Sequence, residues 1–157
     1  MLLFLVLAAA KSFSYTLLNP ALVRVLNQTE IEAFDTVEAI FERTQMFCLG
    51  RWLGAQVLQS SNDLLYIQHV LYSVKPLILL ETGTYKGGLT YYMATVMSSV
   101  HDGEHPWEII TVDRNRPEKV FNANWFCQVC SECIKPWETP LWSKRVSFIE
   151  VCCSTVP

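Results

Sequence analysis

"LILLETGTYKGG", Leu77 to Gly88, decides the fold. An apolar run with no polar alternation and no helix-length extension, set between Pro76 and a turn with three glycines, reads as a strand buried on both faces of a parallel sheet. Leu89, Tyr92, Met93, Val96, Met97 and Val100 then recur at helical spacing, which predicts a helix from about Gly88. "WEIITVD", Trp107 to Asp113, is a second strand that again ends in an acid. The pair makes a strand–helix–strand unit whose right-handed crossover lays the strands side by side, with Glu81 and Asp113 on one edge. "RVSFIEV", Arg145 to Val151, reads as a third strand. The expected class is α/β: a partial doubly wound, Rossmann-like parallel sheet of about three strands, with an N-terminal helical segment.

Upstream, Thr29 and Glu32 fit a capping box, and Ile31, Phe34, Val37, Ile40, Phe41 and Phe47 carry helical periodicity over roughly 30 to 48. The expectation for this aromatic stripe is core packing. Gly50 and Gly54 bracket a turn, after which Ser61 or Asn62 caps a second helix bearing Leu64, Ile67, Leu71 and Val74 and ended by Pro76. Between the second and third strands, Pro117 suits a helix start, "KVFNANWFCQVC" reads as helix and "IKPWETPLW" as loop. The expected organisation is a leader at 1–14, a helical segment at 15–75 and the first half of the α/β domain at 76–157.

The chain has 157 residues, half of them apolar, enough for one domain with a sizeable core. With a formal charge of −3 and no Lys/Arg-rich stripe, it lacks the electrostatic footprint of a nucleic-acid binder. "MLLFLVLAAA" is too short to span a bilayer, but it suits a signal-peptide core, or else a buried first helix or a mis-assigned start. The first reading sends the protein to the secretory pathway, the second leaves it cytoplasmic. Asn27-Gln28-Thr29 is a glycosylation acceptor pattern. Six cysteines include the run "CQVCSEC", at 127, 130 and 133. Ordinary thiols, disulfides and part of a zinc site all remain open, although a zinc site would need a second C-x-x-C or His pair, for which Cys152 and Cys153 are the only nearby candidates.

The glycine turn narrows the ligand. A phosphate-binding loop needs Gly-Lys-Ser/Thr, and here Lys86 precedes the glycines; a dinucleotide fingerprint needs glycine where Tyr85 stands. What remains suits S-adenosylmethionine, which has no phosphate. Glu81 would balance positive charge on its methionine portion, Gly83 and Gly87 would let the backbone approach, the helix start after Gly88 would favour the carboxylate, and Asp113 would accept the ribose hydroxyls. The competing reading is that Gly87 and Gly88 only permit tight packing and that Asp113 caps a turn. No catalytic residue stands out, and His69 on the second helix is given no role.

Trp52-x-Gly54, Asp63 with the helix after it, "ETGTYKGG", "IITVDRN" and "RVSFIE" followed by Ser154-Thr155 together resemble the cephalosporin hydroxylase and rhamnosyl O-methyltransferase family, a branch of the S-adenosylmethionine-dependent methyltransferase fold. The resemblance runs from Arg51 to the end. It implies cofactor-binding roles for Glu81, Gly83, Thr84, Gly87, Gly88 and Asp113, and methyl transfer to an oxygen acceptor. Where the family carries a Gly-Ser-Ser turn, this chain has Val151-Cys152-Cys153-Ser154. The family's metal-binding acids and most of its acceptor pocket lie on a fourth strand and beyond, past Pro157, so no metal ligands are expected. Without that strand, the edge of "LILLE" should be open and invite self-association. The rival from another class is a non-catalytic secreted or lumenal domain stabilised by its cysteines.

Overall fold

The structure is a computed structural model that describes residues 5–7, 27–101, 105–123, 127 and 129–151. In chain order its elements are β1 (Leu5–Leu7), α1 (Gln28–Arg43), β2 (Arg51–Trp52), β3 (Ala55–Gln56), α2 (Ser61–Val74), β4 (Ile78–Thr82), α3 (Gly88–Val100), β5 (Glu108–Asp113), α4 (Pro117–Phe121), α5 (Pro140–Arg145) and β6 (Val146–Glu150), with 3-10 turns at Met46–Leu49 and Pro136–Glu138.

Strands β4, β5 and β6 are parallel and lie in the order β4-β5-β6, half of a doubly wound sheet. The registers stack Leu79, Ile109 and Val146 in one row, and Glu81, Thr111 and Phe148 in the next row on the same face. That face is the covered one. Leu79, Glu81, Ile109 and Thr111 are buried, whereas Ile78 is 45% exposed and Thr82 is exposed. The expectation that "LILLET" is buried on both faces is therefore corrected: among the described residues the burial alternates with the strand's period of two.

The other edge of β4 is occupied. β1 pairs with it antiparallel, Leu5 opposite Leu80 and Leu7 opposite Ile78. The expected open edge, and the self-association it would drive, is thus corrected, because part of the apolar leader supplies the backbone partners. The rest of the leader, residues 1–4 and 8–14, lies outside the described residues.

Helix α3 lies over the sheet with Tyr92, Met93, Ala94 and Met97 buried, and α2 packs on it through Leu71, Leu64 and Ile67. The cap of α2 is Ser60, whose hydroxyl accepts from Asp63 N, one residue earlier than expected. Lys75 in the left-handed region, φ 47°, ends it before Pro76. "RWLG" is the turn of the β2–β3 hairpin, with Leu53 and Gly54 both at positive φ, the combination that matches the twist of a two-residue hairpin. Trp52 meets the Tyr92 ring edge-on at 4.8 Å and donates its indole N–H to Thr95 Oγ1 at 2.7 Å, which fastens this hairpin to α3.

"IKPWETPLW" is not a plain loop. Pro136 and Pro140 each occupy the first turn of a short helix, where a missing N–H costs nothing, and Thr139 caps α5 by accepting from Trp142 N. "KVFNANWFCQVC" is helical only to Phe121; residues 124–126 and 128 lie outside the described residues.

Residues 10–46 form a separate compact unit containing α1. Its cap is Asn27, not Thr29: Asn27 Oδ1 accepts from Glu30 N at 3.0 Å and Glu30 Oε2 accepts from Asn27 N at 2.9 Å, a reciprocal box. The helix stops at Arg43, followed by Gln45 at φ 53°. No α1 residue is buried, and Phe34 and Val37 are 58% and 65% exposed, so the core-packing expectation for this stripe is also corrected. Among the described residues no helix is long and apolar enough to cross a membrane.

Candidate functional site

The ladder between β4 and β5 continues one residue past the strand, Gly83 N–H donating to Val112 O at 2.8 Å. Gly83 then turns at φ +87°, and a Cβ built on it would meet nothing within 4 Å. The turn is held from the neighbouring strand: Tyr85 N–H donates to Asp113 Oδ2 at 2.8 Å, while Asn115 N–H donates to Oδ1 at 3.2 Å. Val151 N–H donates to the Asp113 carbonyl at 3.0 Å, so Asp113 joins the carboxyl ends of all three parallel strands. It is half-buried, and a carboxylate with two acceptor bonds in use retains lone pairs for more.

Glu81 lies beneath this turn and is fully buried. Its Oε2 accepts from Thr111 Oγ1 at 2.6 Å and from Thr90 Oγ1, and Oε1 has no partner among the described residues. Since Thr111 gives its hydrogen to Glu81, Thr84 donates to Thr111, Oγ1 to Oγ1 at 2.6 Å. Burial pushes the Glu81 carboxyl up to about 7; the bonds from Thr111 and Thr90 pull the other way, and the charge of Asp113 adds to the rise.

The next two glycines are used by the protein itself. A Cβ on Gly87 would lie 3.0 Å from the Trp142 ring, and one on Gly88 would lie 1.8 Å from the Gln56 carbonyl oxygen. The backbone of β3 therefore crosses the start of α3 so closely that only glycine fits. These contacts favour the packing reading of Gly87 and Gly88.

A cleft of about 290 Å³ borders the turn, lined by Gly83, Thr84, Tyr85, Lys86, Gln56 and Phe47 among others. Lys86 is buried, and its Nζ donates to Gln56 Oε1 at 3.0 Å; burial, and to a lesser extent the Arg51 charge, hold its ammonium below the ordinary lysine value. Gln56 in turn donates from Nε2 to the Cys48 carbonyl at 2.8 Å.

Cys48–Cys127 and Cys130–Cys133 are disulfides that consume "CQVCSEC", so these three cysteines do not supply a zinc site. Cys152 and Cys153 lie outside the described residues. The Tyr85 hydroxyl, buried, faces the Cys127 backbone without closing a full hydrogen bond, and burial raises its pKa.

Of the residues named from sequence, Glu81, Gly83, Thr84 and Asp113 meet at one end of the sheet, with Gly83 and Asp113 at the surface of the turn and Glu81 and Thr84 below it. His69 is exposed on α2. Sequence reasoning missed Thr90, Thr111, Gln56 and Trp142. For Thr90 and Thr111 a signal existed: Glu81 shares a strand face with Leu79, so it had to point toward the helix rather than out of the turn.

No curated protein and no solved structure matches the chain. The model of the rhamnosyl O-methyltransferase/CmcI family matches residues 45–125, which hold the hairpin, α2, the glycine turn, α3 and the strand that ends in Asp113. That span is just over half of the chain. The chain belongs to the rhamnosyl O-methyltransferase/CmcI family, a cephalosporin hydroxylase family.

Proposed function

We propose that the protein binds S-adenosylmethionine at the turn after β4 and acts in methyl transfer to an oxygen acceptor. The observation that carries this reading is the open, left-handed backbone of Gly83 beside the Asp113 carboxylate, at the carboxyl ends of adjacent parallel strands, where open α/β sheets take their ligands. Asp113 would hold the ribose hydroxyls, and its bonds to Tyr85 and Asn115 fix its orientation in advance. Lys86 has the sign suited to the carboxylate of the methionine end, and it borders the cleft that Gly83 also lines. Glu81 and Thr84 shape the turn from beneath, and Gly87 and Gly88 let α3 and the hairpin close on each other. The cleft is near the lower limit for small-molecule sites, about 300–1,000 Å³. The fit is therefore best at Gly83 and Asp113 and is not extended to Gly87 and Gly88. When bound, the cofactor would supply an electrophilic methyl group on a sulfonium.

Isothermal titration with S-adenosylmethionine tests the reading. Saturable heat is expected with the wild-type chain, and Asp113→Asn, which retains an acceptor for Tyr85 N–H, should bind about tenfold more weakly, the worth of one charge-assisted hydrogen bond. No heat from a folded wild-type chain would remove the cofactor claim.

The two disulfides favour a second reading, a cysteine-stabilised domain of an oxidising compartment with no ligand at the turn. A folded, disulfide-intact chain that gives no heat with the cofactor would support it.

A further inference from the structure

The disulfides and the glycine turn are physically joined, and this goes beyond the methyltransferase reading. Cys48 offers its carbonyl to Gln56, which holds Lys86 of the turn; the backbone of Cys127 lies against the Tyr85 hydroxyl. One covalent bond between residues 79 apart thus ties together the segments that meet two consecutive residues of the turn, Tyr85 and Lys86. The chain after Cys127 continues the brace. Ile134 N–H donates to the Gly54 carbonyl at 3.0 Å, and Pro136 and Trp142 lie against Gly87.

The two bonds differ in access. Cys48 and Cys127 are 7% and 1% exposed, while Cys130 is only half-buried. Attack by an external thiolate requires reach to a sulfur, so Cys130–Cys133 opens first. Cys130 is also spaced from Cys127 as it is from Cys133, with two residues between in each case. After opening it therefore has a second partner within the range that a C-x-x-C closure allows.

We propose that the four cysteines form a thiol–disulfide relay that sets the rigidity of the glycine turn. In the first step a dithiol reductant gives two electrons and two protons to Cys130–Cys133, leaving two thiols and an oxidised, cyclic disulfide of the reductant. In the second, the Cys130 thiolate attacks Cys127 Sγ, the Cys48–Cys127 bond breaks, Cys127–Cys130 forms, and Cys48 leaves as a thiolate that takes up a proton. The protein's second step needs no further electrons. Loss of the Cys48 tether then frees the turn.

The test uses the full, oxidised chain and one equivalent of dithiothreitol, followed by acid quench, alkylation and peptide mapping, with hydrogen exchange measured on peptides covering Gly83–Gly88. The relay predicts alkylated Cys48 and Cys133, a Cys127–Cys130 link, and at least tenfold faster exchange in the turn. Label confined to Cys130 and Cys133, or Cys48 released without a Cys127–Cys130 link, would overturn it, as would relay products with unchanged exchange in the turn. Cys130→Ser should keep Cys48–Cys127 closed under the same treatment; if that variant does not fold, the wild-type map still decides. Both readouts concern the turn itself, so they stand whether or not it takes S-adenosylmethionine.

Discussion

Glu81 is the residue whose environment departs furthest from what its position in the sequence suggests. Buried with two threonine donors, its carboxyl is held at about 7 against an ordinary value of 4.5. The folded chain therefore keeps a proton that the unfolded chain releases. The stability associated with neutral Glu81 is complete below pH 4.5 and is lost as the pH rises to about 7, by about 3 kcal/mol in all. Glu81→Gln, with the same shape and no titration, should flatten that part of the dependence in urea unfolding measured from pH 4.5 to 7.5; an unchanged slope would show that the carboxyl does not titrate there. The glycines separate in the same way. Gly88→Ala drives a Cβ into the Gln56 carbonyl and should cost about 3 kcal/mol or more, whereas Gly83→Ala meets no atom and should cost only about 1–2 kcal/mol, from its left-handed backbone. Thermal unfolding of the two variants checks the order. "ETGTYKGG" announces a ligand turn but does not reveal which glycines serve the ligand, because that depends on a hairpin thirty residues upstream closing over the helix start.

Strands β4, β5 and β6 and helices α2 and α3 were legible because their periodicities are strong and local. Helix α5 was not, since "KPWETPLW" presents two prolines as breakers when both sit in helix first turns. Helix α1 was legible as an element, but its cap and its exposure were not. Two boxes overlap in "NQTEIE", and the one closing on Asn27 engages both of its members. The pairing of β1 with β4 was beyond reach, because a three-residue apolar segment carries no record of its partner across so much chain. Removing residues 1–9 would strip β4 of that partner. The expected outcome is concentration-dependent association of the shortened chain in sedimentation velocity while the full chain remains unchanged, through the row of unpaired backbone groups.

For the molecule as a whole, the sheet is covered on one face among the described residues, and a disulfide links the segment before the hairpin to the segment after α4. The Cys48–Cys127 bond closes a loop of 79 residues, for which the chain-entropy account gives about 4.5 kcal/mol. Urea unfolding of Cys48→Ser/Cys127→Ser should show a loss of that order, with the far-ultraviolet circular dichroism of the sheet and α3 retained. No spacing rule would have paired these two cysteines. Cys48 lies before the hairpin and Cys127 after α4, and only the folded sheet brings them within bonding range, at 5.4 Å between Cα atoms.

The seat of Leu5–Leu7 beside Leu80–Ile78 also bears on synthesis. Those residues leave the ribosome long before the strand they complete, and until it emerges they travel as a bare greasy tag, the kind of stretch that chaperones and the translocation machinery compete to hold. Until Ile78–Leu80 has been made, that side of the nascent sheet has no strand to close on.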